Sequence, residues 1–201
     1  MDIGALLKTF IYIIASSLLY PVLFLLVMLT LFILIYSGSF FAEWFERVRL
    51  KDYASEDLPD IIKEGRYISV LSHRVNKYIN NLKAFIERSN QTSEIEIENY
   101  IQDNILKIWK SIDWLSMLVR IAPALGLIGT LIPMGTGLAA LGQGDMTKLS
   151  SDLVIAFTTT VVGLTLGIIS SFFYTVKRRW AEEDIKNIEL ATEILAGDSV
   201  K

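Results

Sequence analysis

The sequence contains no cysteine and a single histidine, His73, among its 201 residues. The absence of cysteine excludes a disulfide scaffold, a thiol nucleophile and cysteine-ligated zinc or iron–sulfur sites, and one histidine excludes a histidine-based metal centre. No P-loop, nucleophile elbow or H-E-x-x-H motif is present. Gly135, Gly137 and Ala140 have the spacing of a dinucleotide fingerprint, but no strand precedes them. We therefore expect no catalytic activity, no cofactor and no metal.

Charged residues are missing from three long runs of the sequence. Residues 9–42, 121–144 and 153–176 carry no charge, which gives runs of 34, 24 and 24 residues. A helix rises about 1.5 Å per residue, so about 20 residues cross a hydrocarbon layer of about 30 Å. The sequence therefore predicts three transmembrane helices and contact with membrane lipid. The net charge of −3 gives no indication of nucleic-acid binding.

The distribution of lysine and arginine predicts the orientation of these spans. Of the 19 basic residues, 17 fall within 43–120 and 177–201. By the positive-inside rule these segments are cytoplasmic, while the N-terminus lies outside, as expected for a multi-pass protein of the cytoplasmic (inner) membrane. The predicted order is an N-terminal segment with transmembrane helix 1 (1–42), a cytoplasmic helical domain (43–119), transmembrane helix 2 (120–142), an external loop (143–151), transmembrane helix 3 (152–176) and a C-terminal cytoplasmic helix (177–201).

The polar segments have helical periodicity. A seven-residue apolar repeat predicts one long amphipathic helix that begins at Asp57, and a capping box at Ser93 begins a second helix, so that the two form a hairpin. The tail is predicted to be helical up to Gly197. No alternating strand pattern is present. The expected fold is an all-α membrane protein with three transmembrane helices, a cytoplasmic helical hairpin and a C-terminal cytoplasmic helix.

Two polar features of the predicted hairpin have ordinary interpretations. His73 lies off the apolar stripe, which favours a solvated side chain over a pH-responsive contact. Glu94, Glu96 and Glu98 fall in a first helical turn, where they complement the helix dipole; a cation site is the alternative.

The second and third spans each carry one stripe of small residues with a central threonine. In the second span the stripe is Pro123, Gly126, Thr130, Pro133 and Gly137; in the third it is Ala156, Thr160, Gly163, Gly167 and Ser170. Such stripes are typical of helix packing, and Gly163 with Gly167 forms a GxxxG pair that predicts a homo-oligomer. The same stripes would also suit the lining of a pore, and the pattern leaves both interpretations open.

Depth adds weight to the pore interpretation. Thr130 lies about 15 Å from the inner surface and Thr160 about 12 Å from the outer surface of a layer of about 30 Å, so both are near its midplane. Thr158 and Thr159 point away from Thr160 and are expected to face other helices. Hydroxyl groups can hold a water chain, but a proton relay needs an ionisable group, and neither span contains one. An ion path would therefore take its carboxylate from another polypeptide.

The segment Ala122–Leu131 resembles the A-P-x-x-G-L-x-G-T-V signature of the MotA/TolQ/ExbB proton-channel family, and Ala156–Leu164 is similar to that family's A-L-x-x-T-A-x-G-L segment. The resemblance implies a pentamer around single-span helices of an ExbD-, TolR- or MotB-like partner, whose aspartate faces Thr130 and Thr160. It implies an energy-transducing channel subunit that couples ion flow to mechanical work. A non-conducting scaffold, which docks partners on its cytoplasmic hairpin, is the alternative.

The third span departs from that family at one acidic position. Ile155 occupies the place where ExbB and TolQ carry a glutamate, and the nearest acid is Asp152, one turn outward. Asp152 is expected at the outer mouth of the pore, where it would raise the local cation concentration. A helix N-cap is the alternative role for Asp152.

Overall fold

The structure is a computed structural model that describes residues 3–50, 58–63, 67, 70–88 and 94–199. In this part of the chain there is no strand, and three helices, α1, α4 and α5, are long and apolar enough to cross a membrane. The prediction of an all-α membrane protein with three spanning helices is confirmed. The helices are α1 (Ile3–Arg49), α2 (Leu58–Lys63), α3 (His73–Arg88), α4 (Glu94–Leu141) and α5 (Met146–Ser199).

The first of two compact units, here called the membrane unit, comprises Met1–Gly38 and Leu115–Phe173. Large apolar side chains cover its surface, and Phe24, Leu131 and Phe157 are each about two thirds exposed. An apolar surface of this extent is unfavourable in water, whereas lipid tails solvate it. The burial pattern of this unit therefore fits a hydrocarbon environment.

A tight turn joins α4 to α5 in the membrane unit. Gly144 has φ of +76°, a left-handed conformation that its missing Cβ allows. Asp145 then caps α5, because its carboxylate accepts the backbone N–H of Lys148 at 2.9 Å. Helix α5 therefore begins at Met146, and the loop predicted over 143–151 is shorter than expected.

The second unit comprises Ser39–Trp114 and Tyr174–Lys201. Helices α3 and α4 pack within it, and the Tyr100 ring stacks on the ring of Phe85 at 5.1 Å between centroids. The core contains buried apolar side chains from α2, α3, α4 and α5, among them Leu58, Ile62, Val75, Ile79, Leu82, Ile101, Ile108, Ile112 and Ile188. These residues recur at helical spacing, so the apolar stripes of the sequence become the core of this unit.

The prediction that one continuous helix begins at Asp57 is wrong, because the segment forms two helices. Helix α2 ends at Lys63 and α3 begins at His73. The hydroxyl of Ser72 accepts the backbone N–H of Val75 at 3.3 Å, so Ser72 caps a new helix. The apolar repeat continued through this break, which is why periodicity alone did not reveal it.

Other predicted helix boundaries have mixed outcomes. Asp57 and Ser93, the two predicted N-terminal signals, lie outside the described residues. Helix α5 extends through Gly197 to Ser199, because a glycine inside a helix costs only about 1 kcal/mol. The side chain of His73 is exposed, and its backbone N–H donates to Glu46 at 3.1 Å.

An ion-pair cluster is buried in the second unit. Asp184, only 1% exposed, accepts hydrogen bonds from Arg47 Nη2 at 2.6 Å and from the Ser72 hydroxyl at 2.9 Å. Arg74 Nη1 lies 3.7 Å from the same carboxylate. The Arg47 guanidinium also sits 5.0 Å from the centre of the Trp180 ring. The cluster connects residues of α1, α3 and α5, and no pattern in the sequence predicts it.

Candidate ion pathway

The two small-residue stripes face each other inside one chain. A methyl group on Gly163 would lie 2.7 Å from Gly126 Cα and 2.8 Å from the Ala122 carbonyl oxygen. A methyl group on Gly167 would lie 2.5 Å from the ring of Pro123. Because only hydrogen fits at these positions, α4 and α5 approach at backbone distance.

Substitution of Gly163 by alanine is expected to destabilise the α4–α5 pair by about 1–3 kcal/mol, because backbone atoms of α4 cannot move aside as a flexible side chain would. Gly135→Ala is the matched control on α4, since a methyl group there meets nothing within 4 Å. Thermal unfolding in detergent would compare the two variants. Equal midpoints for both would contradict the close approach at Gly163.

The predicted threonine pair meets at this helix interface. The hydroxyls of Thr130 and Thr160 are hydrogen-bonded to each other, and both side chains are half-buried. The Thr130 hydroxyl also lies 2.9 Å from the Gly126 carbonyl and 3.2 Å from the Ala156 carbonyl. A hydroxyl has one proton and two lone pairs, so Thr130 can donate to a carbonyl while it accepts from Thr160. The pair thus retains capacity for a further polar partner.

The neighbouring threonines differ from each other. Thr158 is exposed and donates to the Val154 carbonyl of its own helix at 2.7 Å. Thr159 is buried, and a methyl group on Gly129 would lie only 2.9 Å from its Cβ. Thr159 therefore faces α4, where Gly129 leaves space for its side chain.

The remaining members of the stripes are mostly enclosed. Pro133, Gly137 and Ala156 are buried, as are Gly126 and Gly163, while Pro123 is half-buried. Ser170 is fully buried, and its hydroxyl has no hydrogen-bond partner among the described residues. Within a single chain, most of the residues predicted as pore-lining are thus occupied by helix packing.

Asp152 lies inside α5 and not at its first residue. Its Oδ2 accepts a hydrogen bond of 2.7 Å from the hydroxyl of Thr136 on α4, and its Cβ would be 3.2 Å from a methyl group on Gly137. The N-cap interpretation of Asp152 is therefore wrong, because Asp145 fills that position.

The role of Thr136 was not predicted, although the sequence contains a signal for it. In the contacting pairs Gly126–Gly163, Thr130–Thr160 and Thr136–Asp152, the two residues lie nearly the same number of positions from Gly144, on either side. Two antiparallel helices joined by a short turn must pair in this way. Recognition of the turn would have placed Thr136 opposite Asp152.

Ionisable groups are absent from the middle of the α4–α5 pair. No charged residue occurs between Arg120 and Asp145 or between Asp152 and Lys177. Among the residues that the structure describes, no three His, Asp or Glu side chains are grouped to hold a metal ion. Hydroxyl and backbone carbonyl oxygens are therefore the polar groups that this site offers.

The α4–α5 interface thus combines small residues with a pair of hydroxyls, on helices long and apolar enough to cross a membrane. The model of the MotA/TolQ/ExbB proton channel family matches residues 69–190, more than half of the chain, and the chain belongs to that family. It is a family of channels and not of catalysts.

The comparison with curated proteins gives a consistent relative. Over 126 residues the chain is 27% identical to a biopolymer transport protein ExbB homolog of Methanothermobacter thermautotrophicus. The match covers 62% of this chain and 45% of the relative, so the chain spans less than half of that protein's length. No solved structure matches the chain.

Proposed function

We propose that the chain is the ring-forming subunit of a proton channel that couples an ion-motive force to mechanical work. Five copies would surround a single-span partner of the ExbD, TolR or MotB kind, whose aspartate enters the membrane. The observation that carries this proposal is the hydrogen-bonded pair Thr130 and Thr160, half-buried in helices that contain no carboxylate at that depth. A proton path at this level needs an ionisable group, and the partner supplies it.

The ion path would follow the edge of the α4–α5 pair on which Pro123, Thr130 and Thr160 remain half-buried. The buried residues of the two stripes, Gly126, Pro133, Gly137, Ala156 and Gly163, would contribute by keeping the helices close enough for the two hydroxyls to meet. In this arrangement the packing and pore interpretations apply to different sides of the same helices.

A reconstitution experiment tests the proposal. The chain is co-expressed with a genomic neighbour that encodes one transmembrane helix with an early aspartate, and the purified complex is placed in liposomes. We expect proton or sodium uptake by the complex under an imposed gradient, and little uptake by either protein alone. An Asp→Asn variant of the partner is the matched control and should abolish uptake while the complex still forms.

The alternative is a non-conducting scaffold. The close contact between Gly126 and Gly163 favours it, because this contact packs α4 against α5 of the same chain and does not line a pore. A scaffold would form a complex with its neighbour and show no uptake under any gradient. Uptake that persists with the partner's Asp→Asn variant would reject the role assigned to that aspartate.

The proposed location is the cytoplasmic membrane, with the N-terminus outside and the second unit inside. The ring centroids of Trp44 and Trp180 lie 6.0 Å apart, near the basic residues that follow the first and third spans. The Lys177 ammonium lies 5.9 Å from the centroid of the Trp180 ring. Aromatic residues are enriched at both membrane interfaces, whereas basic residues are enriched on the cytoplasmic side. Because the chain has no cysteine, single cysteines at Gln143 and Arg178 can be labelled separately in intact cells. Labelling of Gln143→Cys only would support this orientation, and the reverse would contradict it.

Asp152→Asn is expected to lower cation uptake about fivefold at low ionic strength, the effect of about 1 kcal/mol of attraction lost near the pore mouth. Asparagine keeps an oxygen that accepts from Thr136, so stability should change little. The matched control is Asp145→Asn, which removes the same charge nearby and preserves a capping side chain. Equal uptake by Asp152→Asn and the unmodified chain would contradict the role of this carboxylate.

A further inference from the structure

A second site lies outside the membrane unit. A cavity of about 270 Å³ opens in the second unit, bounded by α3, α4 and α5. Arg74, Lys77 and Asn81 line it from α3, and Asn104 and Lys107 line it from α4. Residues 74, 77 and 81 are three and four positions apart, as are residues 104, 107 and 111, so each helix presents one face to the cavity. The lining includes three cations and no carboxylate.

The charges of this cavity are only partly compensated. Arg74 shares the buried Asp184 with Arg47. Lys77 and Lys107 make no hydrogen bond or ion pair with any residue that the structure describes, and the same holds for the Asn81 amide. Lys77, Asn81 and Lys107 are exposed, and Lys77 also borders a second cavity that Glu43 and Glu46 line. The cavity therefore offers two solvated ammonium groups and one amide to a ligand.

The bottom of the cavity is apolar. Tyr78, Ile108 and Ile188 are buried and contribute to its wall. The Tyr78 hydroxyl is hydrogen-bonded to Thr192 at 2.7 Å, and burial raises the pKa of Tyr78 to about 12. The phenol is therefore uncharged at neutral pH and adds no negative charge to the site. The walls combine cationic and amide groups with an apolar base, as small-molecule sites commonly do.

We propose that this cavity binds a phosphomonoester, with the phosphate between Lys77 and Lys107 and its organic group against Tyr78 and Ile108. A phosphomonoester carries a charge of about −1.5 to −2 at neutral pH, which matches two lysines better than a single carboxylate does. Lysine ammonium groups bind phosphate as point charges, and the Asn81 amide can donate to a third oxygen. The site is independent of the proposed ion path, because its residues all belong to the second unit.

Binding of phenyl phosphate to the full-length chain in detergent tests this site. Calorimetric titration at fixed ionic strength should show saturable binding, weakened about tenfold or more in the double variant Lys77→Gln/Lys107→Gln. The matched controls are Lys110→Gln and Lys186→Gln, exposed lysines of α4 and α5 that do not line the cavity, and both should bind as the unmodified chain does. Phenyl sulfate, a monoanion of similar shape, should bind more weakly than phenyl phosphate.

A second arm separates two sources of the phosphate. The chain is reconstituted without detergent in nanodiscs that contain or lack phosphatidic acid, a lipid phosphomonoester. Binding to phosphatidic acid alone, lost in the double variant, assigns the site to a lipid headgroup; binding to phenyl phosphate assigns it to a soluble ester. The absence of saturable binding to either probe would overturn the proposal, and so would equal binding by the double variant. Surface lysine substitutions leave the fold intact, which circular dichroism of the variants can verify.

Discussion

Replacement of Thr160 by valine is expected to lower proton uptake through the reconstituted complex roughly tenfold to a hundredfold while the complex still assembles. Valine preserves the branched shape, so packing against α4 is retained. The hydroxyl that bonds to Thr130 is lost, and the remaining polar groups are left short of a partner in a water-poor environment, where this is costly. Uptake into liposomes that contain the chain and the proposed aspartate-bearing partner measures the effect, and Thr130→Val should have the same effect.

Thr158→Val is the matched control for this prediction. Its side chain belongs to the same helix, but it is exposed and bonds only to the Val154 carbonyl, so uptake should stay close to that of the unmodified chain. Thr159→Val should also leave uptake close to that of the unmodified chain, because the Thr159 hydroxyl donates to the Ile155 and Ala156 carbonyls of its own helix and valine keeps the shape that packs against Gly129. If Thr160→Val conducts normally and Thr158→Val does not, the pore lies on the other side of α5, and the roles carried over from the family are wrong.

The sequence predicted much of the α4–α5 pair because a helix of 3.6 residues per turn converts spacing into position. The small residues of each stripe fall on one side of their helix, and most of them are buried there. What one stripe does not encode is which helix it meets. The GxxxG pair at Gly163 and Gly167 suggested contact between copies, whereas the structure places Gly126 and Pro123 of the same chain against it.

The second unit was less predictable, because its decisive contacts join residues far apart in sequence. Arg47 and Asp184 are separated by 137 positions, and neither has a local partner that would mark it as buried. In the sequence, each has the pattern of an ordinary exposed charge next to an apolar helix. The break between α2 and α3 escaped notice for a different reason, since the cap at Ser72 interrupts the backbone without interrupting the apolar repeat.

Replacement of Asp184 by alanine should destabilise the second unit by about 3–5 kcal/mol. The carboxylate is almost fully buried, and Arg47, whose side chain is 11% exposed, would keep its charge without its main partner. The nearest remaining carboxylate, Glu183, is 3.7 Å from Arg47 and lies on the surface, so it cannot compensate for the loss. Urea unfolding in detergent, followed by circular dichroism, measures the change.

Glu183→Ala is the matched control, because it removes a neighbouring carboxylate that contacts the same arginine. Its side chain is 54% exposed, and an exposed pair of this kind contributes about 0–1 kcal/mol.

The double variant Arg47→Met/Asp184→Leu provides a second test. Removal of both charges eliminates the unpaired cation, so the double variant should recover much of the stability that Asp184→Ala loses. Equal losses of stability for Asp184→Ala and Glu183→Ala would mean that the cluster is solvated. A double variant no more stable than Asp184→Ala would mean that the carboxylate stabilises the unit through Ser72 and Arg74 instead of Arg47.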